Sequence, residues 1–511
     1  MKVLKMAPQI LNVIPKPQKI EFAEGEFVLS GKTAVSACKE LSSAKKFLQE
    51  YLEHCTPQKI SGDRKCEITL GLEKSLENLG EEGYVLDIQP GKMTIASSSP
   101  KGVFYGLQTF RQLLFSSEKG KIPCLKIEDS PRLGWRGMML DEGRHFFGKE
   151  FVKKFIDMLA LYKMNSFHWH LTEDQGWRIE IKKYPKLTSV GSKRAESPIE
   201  GNRNAGDDKP YEGFYTQDDI REIVKYAGDR FINVVPEIEM PGHAAAAIAS
   251  YPELGNSDIM DYKPEVKTRW GVHYYTFSPT EKTFKFLEDV IEEVVALFPG
   301  RYFHIGGDEA PKDQWKNSPT AQRFILDNGL KDEHELQSYF IKRIETILKK
   351  HNRVLIGWDE IQEGGLSPTA AMMVWRDWKW ASMALKNGNC IVMAPNSHTY
   401  FDHYQEDPKE HKEPEAIGGL LPIDKVYLFN PVIEGITPEE EKRILGAQGQ
   451  LWSEYLFNTD KVEFMAFPRM FALAEVVWTN PENKNYGDFM TRLKTTLALL
   501  DHMKVKYRNP F

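Results

Sequence analysis

Cysteine is scarce in this chain of 511 residues. The five present, Cys38, Cys55, Cys66, Cys124 and Cys390, are odd in number and lack metal-ligand spacing. That argues against a disulfide framework and a thiolate metal centre, so unpaired thiols are expected, with one or two bridges inside the first 130 residues as the alternative. Positive charge is not in excess either. Lys and Arg total 67 against 73 Asp and Glu, a net charge of −6. The basic residues are scattered and form no polybasic block, so neither nucleic acid nor an anionic membrane is expected as a partner. No apolar run approaches the roughly 18 residues of a membrane span. Low-complexity tracts and internal repeats are also missing. At the N-terminus, the apolar stretch Ile10–Ile14 is short and bounded by Pro8 and Pro15. It does not read as a signal peptide. Either the protein stays in the cytoplasm, or an export segment was removed and it is periplasmic or secreted.

What is present is a large apolar reserve. Hydrophobic residues make up 41% of the chain, enough for an extensive core and more than one domain. Residues 1–130 read as a smaller α+β domain. Ile68–Leu72, Tyr84–Ile88 and Met93–Ala96 have strand character, and Gly91-Lys92 reads as a hairpin turn. Lys101–Phe115 carries Val103, Leu107, Phe110 and Leu114 at helical spacing. Ser130-Pro131 breaks the pattern.

Residues 131–511 alternate strand-like runs with amphipathic helices. Eight strand candidates begin near Trp135, Ser166, Ile232, Tyr302, Val354, Ala371, Cys390 and Ile444. Eight βα units predict an α/β fold, a (β/α)8 TIM barrel. An open doubly wound sheet is the alternative, but no Gly-rich phosphate fingerprint follows the first strand. Two polar segments, Gly191–Glu212 and Gly255–Gly271, are expected to be barrel loops framing a site. A helix over Phe489–Lys504 is expected to close the barrel.

The strand beginning at Tyr302 runs through His304 and ends Gly306-Gly307-Asp308-Glu309. Adjacent acids are ordinarily solvated surface charge. Here the glycines and the strand deliver them to the carboxyl end of a sheet, where α/β active sites lie. The other candidates end similarly: Arg144 after the first, His170 and Asp174 at the second, His243 after the third, Trp358 on the fifth. Trp375 ends the sixth, Tyr400 and Asp402 follow the seventh, and Trp452 and Glu454 end the eighth. Each alone has a plain structural use. Arg144 could pair with a surface acid, His170 could be a bonded core histidine, and the tryptophans could fill the rim. Together they make a mouth of indoles, carboxylates and one guanidinium, which is what binding a pyranose requires. No cofactor or metal is expected. The chain has no His-Glu-x-x-His. His168 and His170 resemble the His-x-His of barrel amidohydrolases but fall on the second strand rather than the first.

These motifs together resemble the retaining β-N-acetylhexosaminidases of glycoside hydrolase family 20. The resemblance rests on His-x-Gly-Gly-Asp-Glu (His304–Glu309), His-x-His-Leu-Thr-x-Asp-Gln-Gly-Trp-Arg (His168–Arg178) and Pro-Gly-His (Pro241–His243). Gly-Trp-Asp-Glu (Gly357–Glu360) and Gln-x-x-Leu-Trp-x-Glu (Gln448–Glu454) extend it, and matches run from Pro15 to Trp478. Departures are Glu142-Gly143, and Glu173 and Glu239 where Asp is common. The resemblance implies an exo-enzyme that removes terminal β-linked GlcNAc or GalNAc from glycans, acting as monomer or homodimer. It implies substrate-assisted catalysis, an exception to the two-carboxylate scheme. Glu309 would be the acid and base, with a raised pKa, and Asp308 the ionised partner of the substrate's acetamido group. Tyr400 would bind the acetamido oxygen. Trp358, Trp375 and Trp452 would wall the sugar, and Arg144, Asp402 and Glu454 would hold its remote hydroxyls. Asp174 and His243 would relay to Glu309, with His170 behind them. Two alternatives stand beside this: a disaccharide-releasing enzyme of lacto-N-biosidase type, which needs a wider pocket, and a glycan-binding protein that has lost catalysis.

Overall fold

The computed structural model describes residues 10–55 and 66–511. The N-terminal part of the leader expectation (residues 1–9) and the Cys55 side chain lie outside the described residues. Cys38, Cys124 and Cys390 are free thiols, and the Cys66 thiol donates to the Val28 carbonyl at 3.1 Å.

The first domain is a six-stranded sheet: β1 (Lys19–Val28), β2 (Thr33–Ala37), β3 (Cys66–Leu72), β4 (Tyr84–Gln89), β5 (Lys92–Ser97) and β6 (Lys121–Asp129). Its spatial order is β1-β6-β4-β5-β3-β2. The β2-β3-β5 half is parallel and the rest antiparallel. Two helices cover it, α1 (Ser42–Cys55) and α2 (Pro100–Ser116). Ser99 caps α2 by accepting from the Lys101 N–H, and Pro100 begins it where no N–H is needed. The predicted apolar stripe of α2 is buried, Val103, Leu107, Phe110 and Leu114 included.

The eight predicted strands close into one parallel barrel. They are β7 (Trp135–Asp141), β8 (Ser166–His170), β9 (Asn233–Glu237), β10 (Tyr302–His304), β11 (Val354–Trp358), β12 (Ala371–Val374), β13 (Ile391–Met393) and β14 (Ile444–Gly449). The principal outer helices are α3 (Lys149–Leu161), α4 (Gln217–Gly228), α5 (Glu281–Leu297), α6 (Glu333–Lys350), α7 (Trp378–Lys386), α8 (Ile423–Leu428) and α9 (Arg469–Trp478). The alternation fails once. After β11 the chain makes only a single 3-10 turn, Asp359–Gln362, before β12. Gly364-Gly365 and Pro368 follow at once and cut any helix short.

Inside the barrel, Trp135, Val235, Ile356, Met373 and Val392 form an apolar plug. Above it the strand register sets polar residues side by side: Asp141 beside His170, His170 beside Glu237, Glu237 beside His304. These ends floor the carboxyl face. The last helix, α10 (Tyr486–Met503), braces α9. Its Arg492 makes two 2.7 Å bonds to Glu475 and donates to the Val13 carbonyl.

The domains meet at the opposite barrel face through buried charge. Lys163 lies 3.0 Å from Asp129, with neither side chain exposed. Arg136 donates to Glu82 at 2.7 Å. Among the described residues, no helix is long and apolar enough to cross a membrane.

Candidate active site

Every residue expected to face the substrate lines one cavity of about 330 Å³ at the carboxyl ends of the strands. Arg144, Asp308, Glu309, Trp358, Trp375, Tyr400, Asp402, Trp452 and Glu454 all border it. The turn after β10 explains how two adjacent acids reach the same space. Gly306 and Gly307 adopt φ of +65° and +88°, and Glu309 itself sits at +41°. A left-handed non-glycine residue is strained, and such strain collects at functional sites. A Cβ at Gly306 would lie 1.7 Å from Glu239 Oε2, so only glycine fits.

The tryptophans form an angled wall. The Trp358 and Trp452 rings are 5.5 Å apart, and Trp375 stacks on Tyr400 at 6.0 Å and 21°. Two indoles are anchored by carboxylates: Trp358 Nε1 donates to Glu237 at 2.9 Å, and Trp375 Nε1 to Glu360 at 2.9 Å. Arg144 lies over the Trp452 ring, 3.2 Å from Asp141, 3.2 Å from Glu173 and 3.8 Å from Glu454.

Several buried acceptors in this cavity have no partner among the described residues: Asp308 Oδ1, both oxygens of Asp402, and Glu454 Oε2. An unmet buried acceptor is costly, so these oxygens await donors. Burial, and next the charge of Glu454, push the Asp402 carboxyl well up. Burial also pushes the Tyr400 phenol well up, which keeps its O–H as a donor.

His243 connects the two acids. Its Nε2 is 3.5 Å from Glu309 and 3.7 Å from Asp308. On its other side, Nδ1 is 2.7 Å from Glu173 Oε1 and 3.3 Å from Asp174 Oδ2. The expected relay partner Asp174 is therefore the more distant carboxylate. Its Oδ1 is turned to the Ala245 N–H, and Glu173 holds the imidazole. Glu173 also meets Arg144, so one carboxylate touches both groups. Gly143 makes room for it: a Cβ there would fall 2.4 Å from Glu173 Cβ. His170 does not reach the cavity. It is buried beneath it, 3.2 Å from both Asp141 and Glu239.

The electrostatics of the site reverse two expectations. Glu309 was expected to hold a raised pKa, but its hydrogen bond to His243 lowers it. Asp308 was expected to be ionised, but burial pushes it up to about 7. Burial opposes charge on His243, yet Glu173, Asp174 and Glu309 outweigh it and hold the imidazole well above its ordinary range. The reason is position: Glu309 is 42% exposed beside an imidazolium, while Asp308 is buried among other acids.

The comparisons with known proteins agree with this geometry. Residues 133–481 match the glycosyl hydrolase family 20 catalytic domain, and residues 11–130 match domain 2 of the same family. The chain belongs to glycosyl hydrolase family 20. It is 44% identical to a beta-hexosaminidase of Porphyromonas gingivalis over 98% of its own length, and spans 64% of that protein. It is 30% identical to a beta-N-acetylhexosaminidase of Cellulomonas fimi, covering 97% of this chain and 95% of that one. Among solved structures, a Vibrio harveyi exo beta-N-acetylglucosaminidase in complex with N-acetylglucosamine superposes with a TM-score of 0.87 at 34% identity, covering 99% of this chain and 80% of that one. A beta-N-acetylhexosaminidase of Bacteroides fragilis gives 0.80 at 31%, covering 97% and 96%. The chain is thus a glycoside hydrolase on a TIM barrel.

Within this family 20 site, sequence reasoning missed part of the wall. Asn396, His403 and Ile417–Gly419 complete the cavity, all from the long connection after β13. Tyr400 and Asp402 on the same connection are legible from their place just after the strand, but no periodicity marks the others. The polar segments expected to frame the site do not line this cavity. Gly191–Glu212 folds into two small ribbons and supports the Arg144 carbonyl through Arg194. The Gly255–Gly271 segment lies behind Asp174, whose carbonyl accepts from the Lys267 N–H.

Proposed function

We propose that this chain is a retaining exo-β-N-acetylhexosaminidase that removes terminal β-linked GlcNAc or GalNAc by substrate-assisted catalysis. The observation that carries the reading is the cavity itself. Tryptophan faces suit the apolar faces of a pyranose, and the unpartnered oxygens of Asp308, Asp402 and Glu454 suit its N–H and hydroxyl donors. Arg144, Asp402 and Glu454 hold the remote hydroxyls. Trp358, Trp375 and Trp452 surround the ring and the acetamide methyl.

In the first step Glu309 protonates the glycosidic oxygen while the acetamido oxygen attacks the anomeric carbon. The C–O bond to the leaving sugar breaks and a cyclic oxazolinium forms. Asp308 accepts from the acetamido N–H and offsets the developing positive charge; Tyr400 donates to the acetamido oxygen. In the second step Glu309 takes a proton from water, which opens the ring with net retention. The open-site charges fit this cycle if acid strength belongs to the loaded site. A bound sugar covers the exposed Glu309 carboxyl and raises its pKa by desolvation. The N–H and the cationic ring favour the carboxylate form of Asp308. With both shifts, the proton of the acid pair resides on Glu309 while the sugar is bound.

The disaccharide-releasing alternative needs a wider pocket, and the cavity is bounded by His403 and Ile417–Gly419. The binding-only alternative gives no reason for a strained acid pair on a charged histidine. The test is leaving-group dependence. Glu309→Gln is expected to lose about 10²–10⁴-fold in kcat/KM on a β-linked N-acetylated disaccharide, and much less on an activated aryl N-acetylglucosaminide. The matching aryl glucoside, lacking the acetamide, should not be cleaved by the wild type. Cleavage of both aryl sugars at similar rates would refute the assisted mechanism.

A further inference from the structure

A second cavity of about 510 Å³ adjoins the first and shares only Glu309 and Trp375 with it. On the reading above, the glycosidic oxygen sits at Glu309 with the acetamido sugar on the Asp308 side. The leaving group must then lie on the other side of Glu309, in this second cavity. Its lining sets Lys312, Lys316 and Arg376 against Glu309, Asp313, Glu360 and Glu363. Lys312 and Lys316 project from the segment just after the acid pair, where Lys316 N–H donates to the Lys312 carbonyl on a short helix, Asp313–Asn317. Two ammoniums at i and i+4 repel each other. Lys312 Nζ donates to the Ala310 carbonyl at 2.6 Å and to Gln337. Neither ammonium has a carboxylate in ion-pair reach among the described residues.

The acids of the cavity are largely engaged elsewhere. Glu360 accepts from the Trp375 indole and lies 3.6 Å from Arg376, and burial pushes its carboxyl up to about 8. Glu363 meets Arg376 at 3.3 Å and His334 at 3.4 Å. Glu309 faces His243. That leaves Lys312 and Lys316 with Asp313, whose carboxylate is exposed. A like-charged pair held beside the leaving-group position, with no carboxylate in ion-pair reach among the described residues, is a site for an anion.

We propose that Lys312 and Lys316 form a leaving-group subsite that selects N-acetylhexosaminides whose next sugar carries a carboxylate. The chemistry fits a hexuronic acid or a lactyl ether on an amino sugar. Two partly exposed ion pairs of this kind correspond to about a tenfold preference at low ionic strength.

The test compares GlcNAc β-linked to the 4-position of glucuronic acid with the same disaccharide carrying glucose. A third disaccharide carries a lactyl ether on the leaving sugar. Wild type should show a kcat/KM ratio of about ten for at least one acidic substrate over the neutral one, shrinking at high salt; the better acidic substrate identifies the source of the carboxylate. Lys316→Glu should bring the ratio to one or below while leaving an aryl N-acetylglucosaminide unaffected. Lys312→Met, which keeps the stem, should lower the ratio in the same direction. A wild-type ratio near one, or a ratio that neither variant moves, overturns the proposal. Loss of all activity on the wild-type aryl N-acetylglucosaminide would instead overturn the hexosaminidase reading on which it rests.

Discussion

Asp308 is where chemistry and stability pull in opposite directions. Its carboxyl is pushed up to about 7 by burial, against an ordinary value of 3.8. The native site therefore binds a proton that the unfolded chain releases. Below about pH 4 both states hold it, and nothing is lost. As pH rises from 4 to 7 the unfolded chain ionises freely while the buried group resists, so stability falls across that window. Asp308→Asn removes the titration. Its melting temperature should exceed that of the wild type by about 3 °C at pH 8, and the difference should vanish near pH 4. Thermal scans at the two pH values measure this. An equal gap at both would mean that desolvation is not what perturbs Asp308. The same variant should lose most turnover, because an amide cannot stabilise the oxazolinium. The residue is costly to bury as a charge, and that cost is offset only when the sugar's N–H and positive ring arrive.

At the scale of elements, the carboxyl ends of the strands carry the function and also carried most of the signal. Val354–Trp358 reads as a buried parallel strand because both faces are covered and the run is apolar throughout, and Trp135–Leu140 because only Arg136 interrupts it. The residue following such a run is then at the barrel mouth by geometry alone, which is why Arg144, Asp308, Trp358 and Glu454 were legible. Other elements were silent for physical reasons. Along β1 the face pattern is lost, because Lys19–Phe27 is mostly exposed at a sheet edge. The connection after β13 has no period to read, yet His403 and Ile417–Gly419 close the pocket. Glu173 was passed over for Asp174, because register within a two-residue acid pair depends on backbone direction that sequence does not specify. The turn after β10 is the element most tightly specified. Gly306→Ala would add a methyl against Glu239 Oε2 and force an L-residue to φ +65°. The expected cost is about 2–4 kcal/mol of stability from overpacking and strain. Activity should fall further than stability, since both acids hang from this turn. Denaturant unfolding and kcat/KM on one preparation separate the two losses. A folded Gly306→Ala enzyme with normal turnover would show that the turn does not set the acid pair.

At the scale of the whole molecule, the small domain shows no chemistry of its own among its described residues, and its role must be sought at the interface. Lys163 lies just before β8, on the barrel face opposite the cavity. Its Nζ is 3.0 Å from Asp129 at the end of β6, 2.9 Å from the Tyr84 hydroxyl and 4.5 Å from the centre of the Trp478 ring. Asp129 also accepts from the Tyr84 hydroxyl, the Trp478 indole and the Gln18 N–H. One buried ion pair thus joins the sheet, the start of β8 and the end of α9. Burial lowers the Lys163 pKa, and Asp129 offsets that only in part. Such pairs add little against an apolar replacement, but breaking one side leaves a buried charge that costs about 3–5 kcal/mol. Lys163→Met keeps the stem and strands Asp129. It should lower the melting temperature and split unfolding into two calorimetric transitions, with activity on small substrates preserved at 25 °C. The double variant Lys163→Met with Asp129→Asn should recover a large part of the loss, because no uncompensated charge remains. Additive losses in that cycle would mean the two residues are not coupled across the interface, and the domains would then be joined by their other contacts, such as Arg136 with Glu82.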